Sequence, residues 1–522
     1  MAGIRKVTTL AVTGVLALAV TACSGDGGGG DGGGASDGVI LGTTDTPSTL
    51  DPAGAYDLPS WTIYWNTFQN LLAIAPGESQ PSPDAAESCE FTEPTVYTCT
   101  LAEGLTFSDG SALTSEDVKF SIDRILTIND PNGPATLFGS VDSIETPDER
   151  TVTFHLTTAD ATFPFVLTTG AAAIVSADTY PADQLLQEQT IVGSGPYQLD
   201  SYTDGQQALF TANPEYRGRA ERANDSFLIQ YYADESALKQ EIENGTVDIA
   251  FRSLSPTAIE DLRGQSDSGL TVVEGEGTEI RYTVFNVTTP PADNKAVRQA
   301  IAQLVDREAI AENVYNGTVD PLYSMIPAGV DGHTEAFQER YGAPDVAKAQ
   351  AILEEAGVQT PVDLTLWWTP THYGAATADE YAELERQLDE SGLFNVTLES
   401  TEWEQYQSAY AEGQYAAFGL GWFPDFPDAD NYSDPFLRDG GFYSNNYSNA
   451  RVNELLTEER TNTDQAVREA ALAELQEITA EDVPVLPLWQ GKQIAVVRDG
   501  ISGVADTLDP SFTFRFWMIS KS

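Results

Sequence analysis

The densest run of groups able to hold a ligand is GWFPDFPDADNYSDPF, residues 421 to 436. It follows the apolar run AAFGL and puts Trp422, Phe423, Asp425, Asp428 and Asp430 on one loop, the kind of segment that carries ligand groups on a rigid scaffold. A carboxylate in a water-poor cleft can hold a cationic group by a charge-assisted hydrogen bond. Asp425 or Asp428 can equally order the loop by bonding its own backbone, as aspartates beside proline do. A second run, WWTPTHYG, sets Trp367, Trp368, His372 and Tyr373 just past a strand-like stretch, where open α/β folds place ligands. Successive strand residues face opposite ways, so one tryptophan is expected in a pocket and the other packed inside.

Other chemistries find less support. His155, His333 and His372 lie far apart, and no second ligand stands at metal spacing from His372, so no metal site is expected. The histidines have no evident nucleophile partner, and among 80 acidic residues no pair is marked for hydrolysis. An enzyme is therefore not expected, and no cofactor is implied. Gly193 and Gly195 suggest a phosphate cradle, but Pro196 removes a backbone N–H and no helix start follows, leaving close packing as the reading. With 26 basic against 80 acidic residues and a net charge of -54, the chain is unsuited to nucleic acid, which needs clustered Lys and Arg.

The N-terminus reads as an export signal. Arg5 and Lys6 precede an apolar run from Leu10 to Ala22 that is too short to span a membrane. Val20, Thr21, Ala22 and Cys23 resemble the bacterial lipobox, which implies lipid on the Cys23 sulfur after removal of residues 1–22. Residues 23–38 then form a lipidated, Gly-rich tether. In an exported chain Cys89 and Cys99, flanking FTEPTVYT with its Glu93-Pro94 turn, are expected to form a disulfide across a hairpin.

Strand and helix patterns alternate along most of the remaining chain, giving an α/β fold. Period-two runs occur in TVTFHLT (151–157), FLIQYYA (227–233), RYTVFNV (281–287) and VDLTLWW (362–368). Helices are expected after the Thr114/Asp117 capping box, after Asn294 or Asp293, from Asp379 to before Gly392, and from Asp464. Asp109-Gly110 supplies a tight turn ahead of the first of these.

Several collinear segments resemble the extracytoplasmic solute-binding proteins of ABC importers, in the family that serves peptides and nickel. They are LAEGLTFSDGSALTSEDVKFSIDRIL (101–126), VGSGPYQL (192–199), NPEYRG (213–218), FNVTTPPADNKAVRQAIAQLVDREAI (285–310), YSMIPAGVDG (323–332), AKAQAILEEAG (347–357) and VPVLPLWQG (483–491). The resemblance implies a two-lobed periplasmic-binding-protein fold of type II, in the cluster with an extra inserted subdomain, with a hinge and an interlobe ligand cleft. Lobe I would take 39–55, 190–282 and 496–522, the insert 56–189, and lobe II 283–495, so the chain would cross the hinge near Phe285 and Val496. Ligand would close the cleft by preferring the closed state.

The implied function is a lipid-anchored substrate-binding component that captures peptides outside the cell and hands them to the permease, as a monomer. A binder of a nickel complex or other small solute is the alternative, and a secreted hydrolase the remote one. In the resembling peptide binders an aspartate at the position of Asp425 pairs with the peptide α-ammonium. Dipeptide-specific relatives carry an arginine near WWTPTHYG for the free carboxylate. This chain has none between Gly357 and Glu385, which shifts the expectation to oligopeptides. Lobe I would add Tyr56, Ser60 and Trp61 to the site.

Overall fold

The computed structural model describes residues 38–370 and 372–522, so the expected signal peptide, Cys23 and the tether to residue 37 lie outside the described residues. Seven strands form the first sheet, in the order Leu270–Gly275, Gln493–Arg498, Ile249–Phe251, Val39–Thr43, Ser226–Tyr231, Gln207–Ala212 and Tyr197–Thr203. Val39–Thr43 runs parallel to both its neighbours. The second sheet has six strands, Val319–Pro321, Val485–Gly491, Ile280–Phe285, Ala417–Trp422, Val362–Trp368 and Phe394–Ser400. A four-stranded antiparallel sheet from Ala86–Glu93, Val96–Leu101, Thr151–Leu156 and Val141–Asp148 shares one core with the first sheet, where Leu41, Phe227 and Phe516 join Phe154 and Phe163. The second sheet is buried on both faces: Phe285, Leu364, Leu366 and Leu488 belong to one core, Tyr282, Phe418 and Leu420 to another.

The chain changes sheet between Gly275 and Ile280 and again between Gly491 and Gln493. The expected crossings near Phe285 and Val496 need correcting, because both residues are buried inside strands whose ladders run on without a break at 282/283 or 495/496.

Local signals explain most element ends. Thr114 and Asp117 form the capping box of helix Ser115–Ile128, and Asn294 and Asp464 cap Lys295–Leu304 and Gln465–Asp482 through their side chains. The helix expected from Asp379 instead spans Thr377–Glu390. Thr377 Oγ1 donates to the Gly374 carbonyl at 2.9 Å and closes an earlier turn, leaving Asp379 in the first turn, where a negative charge suits the dipole. At Gly193 and Gly195 an added Cβ would stand 2.1 and 2.5 Å from the Thr67 backbone, so these glycines allow one segment to lie directly on the end of helix Leu58–Thr67.

Cys89 and Cys99 face each other in the ladder and are joined, with Cα atoms 4.1 Å apart. Peptide mapping of exported protein without reduction is expected to recover them in one linked fragment. Alkylation of both thiols would contradict the bridge.

Candidate functional site

Loops after three strand ends come together: residues 44–57 and Arg252-Ser253 from the first sheet and 423–431 from the second, while Thr369, His372 and Tyr373 follow a fourth strand end. Both Arg252 (φ 63°) and Ser253 (φ 150°) hold positive φ, a strained arrangement of the kind that clusters at ligand sites. Ser253 Oγ accepts from Thr44 N at 3.1 Å, locking that turn against the end of strand Val39–Thr43. Arg252 lies 5.1 Å over the Phe423 ring and 3.7 Å from Asp45.

Asp425 joins the two lobes. Its Oδ1 accepts from the Tyr56 hydroxyl across the cleft, and its Oδ2 accepts from Asn431 Nδ2 at 3.0 Å. Asn431 Oδ1 in turn accepts from Trp422 Nε1 and from Asp425 N, both at 3.0 Å, so Trp422 fixes the loop instead of opening into the cleft. Among the described residues no Lys, Arg or His pairs with this carboxylate. Burial pushes its pKa up, against the bonds from Tyr56 and Asn431. Phe423 packs on Phe512 with centroids 4.3 Å apart, and a narrow cavity beside it is bounded by Trp61, Trp65, Asp425 and Phe426.

The remaining candidates divide. Ser60 is fully buried and accepts from Ser48 N at 3.0 Å, so its expected place in the site is corrected to a tie within its own lobe. Trp61 is 5% exposed, donates to the Ala55 carbonyl at 3.2 Å and offers the cleft only an edge. Neither tryptophan of the pair stands free: Trp367 stacks on Tyr415 at 4.3 Å and Trp368 on Tyr381 at 5.9 Å, each half-buried on its own face of the strand. His372 stacks on Trp403 at 3.7 Å, and burial followed by the nearby Arg281 charge lowers its pKa. Asp428 accepts two bonds from Arg468, at 2.9 and 2.7 Å, and is a buried structural group. Asp430 is likewise buried, 3.3 Å from Arg460. Arg460 also reaches Asp160 at 3.7 Å, and its carbonyl accepts from Ala161 N at 2.7 Å, a second contact between the lobes.

Arg281, absent from the sequence candidates, lines a small space together with Trp368 and Tyr373. Its guanidinium lies 4.5 Å from the Tyr373 centroid and 5.1 Å from that of Trp489, and it pairs with Glu279 at 2.6 Å. Burial pushes the Tyr373 hydroxyl up to about 12, so it remains a donor at neutral pH. Gly421 lies opposite Arg281 in the ladder, and a Cβ there would stand 2.2 Å from Arg281 Nη1, so the glycine makes room for the cation. Arg281 Nε is buried with no hydrogen-bond partner among the described residues.

A profile described as bacterial extracellular solute-binding proteins, family 5 Middle, matches residues 80–444. The chain belongs to this family. Its members are substrate-binding transport proteins, and the two-lobed periplasmic-binding fold is theirs. The chain is 26% identical over 485 residues to a probable D,D-dipeptide-binding periplasmic protein of Escherichia coli K12, covering 90% of this chain and 91% of that one. It is 26% identical over 492 residues to di/tripeptide-binding protein 3 of Pseudomonas aeruginosa UCBPP-PA14, covering 87% and 90%. The solved dipeptide-binding protein from a Pseudoalteromonas species, in complex with Met-Leu, superposes with a TM-score of 0.75 at 23% identity over 93% of this chain and all of that one.

Proposed function

We infer that this member of the family is the lipid-anchored substrate-binding component of an ABC importer, capturing peptides outside the cell and delivering them to the membrane permease. The observation that carries the peptide reading is Asp425: a largely enclosed carboxylate in the interlobe cleft, with phenol and amide donors but no counter-charge. Such a group favours a ligand that brings its own cation, and a peptide's α-ammonium is one. The peptide-binding names of the relatives support the same reading. Arg281 does not supply the missing carboxylate partner, because its guanidinium is already paired with Glu279 and enclosed by Tyr373 and Trp489, so the preference for oligopeptides drawn from WWTPTHYG is kept.

In this reading lobe I takes residues 39–55, 190–275 and 493–522 with 56–189 inserted, lobe II takes 280–491, and the protein acts as a monomer. Mass spectrometry of ligand released from natively exported protein tests the function: peptides with free amino ends are expected, and a peptide-free metal complex would overturn it. The anchor is tested separately. Cys23→Ser is expected to leave an unlipidated precursor and to release the protein from the membrane fraction, whereas a membrane-bound, lipid-labelled mutant would refute the assignment.

A further inference from the structure

A cavity of about 450 Å³ lies in the first lobe, on the other side of Trp65 from the narrow cavity that Asp425 borders. Its walls include Trp65 and Phe68 from the end of helix Leu58–Thr67, Tyr216 from the NPEYRG segment and Trp517 from the C-terminal segment. This volume falls in the usual range for small-molecule sites. Asp84 reaches into it from the turn after strand Pro81–Pro83, and Glu221 stands exposed at its edge.

Asp84 is the informative group. It is half-buried and accepts from Gln69 Nε2 and Asn70 N, each at 3.1 Å; of the two arginines on the cavity wall, Arg515 is held by Asp509 at 2.7 Å, and Arg219 is exposed and forms no ion pair with Asp84. Burial pushes its pKa up to about 6, against the two hydrogen bonds and the more distant Arg219 charge, so at pH 7.5 it is mainly a carboxylate. Four aromatic walls add to its preference, because their electron-rich faces attract a cation as well as an apolar body.

We propose that this first-lobe cavity is a second binding site, for a small organic cation with an aromatic or alkyl body whose ammonium group pairs with Asp84. The site does not use the Asp425 carboxylate, although Trp65 borders both cavities, so the test removes that carboxylate. Calorimetry on ligand-free mature protein carrying Asp425→Asn, which removes the cleft's own carboxylate, would use 2-phenylethylammonium and its neutral counterpart 2-phenylethanol at pH 7.5.

The ammonium is expected to bind more tightly than the alcohol by about tenfold or more, the least that a hydrogen bond to a charged group provides. Adding Asp84→Asn should remove that advantage and leave the alcohol's affinity nearly unchanged. Trp517→Leu should weaken both probes. Equal affinity for the two probes without any change at Asp84 would overturn the proposal, even if the Asp84 variant folded poorly. So would ammonium binding that survives in a folded Asp84→Asn protein, or binding that appears only when Asp425 is intact.

Discussion

Arg468→Met is expected to destabilise the protein by about 3 to 5 kcal/mol, the range for breaking one side of a buried ion pair. Arg468 is 5% exposed and carries three acceptors at once: both oxygens of Asp428, and Glu459 Oε2 at 3.1 Å. Its Nε also donates to the Glu459 carbonyl at 2.9 Å. Glu459 is fully buried beside Asp430, and burial followed by the Asp430 charge pushes its pKa far up, so Glu459 holds its proton at neutral pH.

Methionine fills comparable volume but leaves the Asp428 carboxylate buried without a counter-charge. Urea unfolding of wild type and variant at pH 7.5 measures the loss. A variant with unchanged midpoint at pH 7.5 would show that the network does not hold this lobe together. Arg451→Met, at an exposed pair with Glu474, should move the midpoint little.

The contrast between Asp428 and Asp425 shows how far the sequence could be read. Both sit beside proline on one loop, and both could either order that loop or meet a ligand. Their fates are decided by partners distant in sequence: Arg468 from helix Gln465–Asp482 reaches Asp428, while Tyr56 of the other lobe reaches Asp425. Local patterns therefore placed the strands and most helix caps, whose determinants lie within a few residues. They placed the loop too, but could not divide its carboxylates between roles.

Arg281 was missed for the same reason. It lies in RYTVFNV, where the alternation identifies a strand but not its neighbour, and only the ladder to Ala417–Trp422 brings it against Gly421 and the Tyr373 loop. Ser60 departs for a different reason. It lies on helix Leu58–Thr67, which turns it inward, while Trp61 on the same helix borders the cavity beside Asp425 and Tyr56, ahead of the helix, remains 41% exposed. The crossings expected near Phe285 and Val496 came from the resemblance, which implies the order of the lobes but not the residue at which the chain leaves one sheet for the other.

Asp425→Asn is expected to weaken binding of a peptide with a free amino end by about 1.5 to 3 kcal/mol, the range for a hydrogen bond to a charged group. Asparagine keeps the shape, and its amide oxygen can still accept from Tyr56 or Asn431, so the loop should stay in place while the charge is lost. An N-acetylated peptide offers no ammonium, so it should bind wild type weakly already and lose little more in the variant. Calorimetry on the four combinations gives the coupling between amine and carboxylate directly.

The pH dependence supplies a second readout. Because burial raises the Asp425 pKa, the ammonium contact is present above that pKa and lost as pH falls through it, at a higher pH than for an ordinary carboxylate. Affinity of wild type for the free peptide should therefore fall on acidification, while the variant and the acetylated peptide stay comparatively flat. If acetylation and mutation act additively, Asp425 does not hold the amine. The carboxylate facing Tyr56 would then serve to join the lobes, and the cation that balances it would have to come from another part of the ligand.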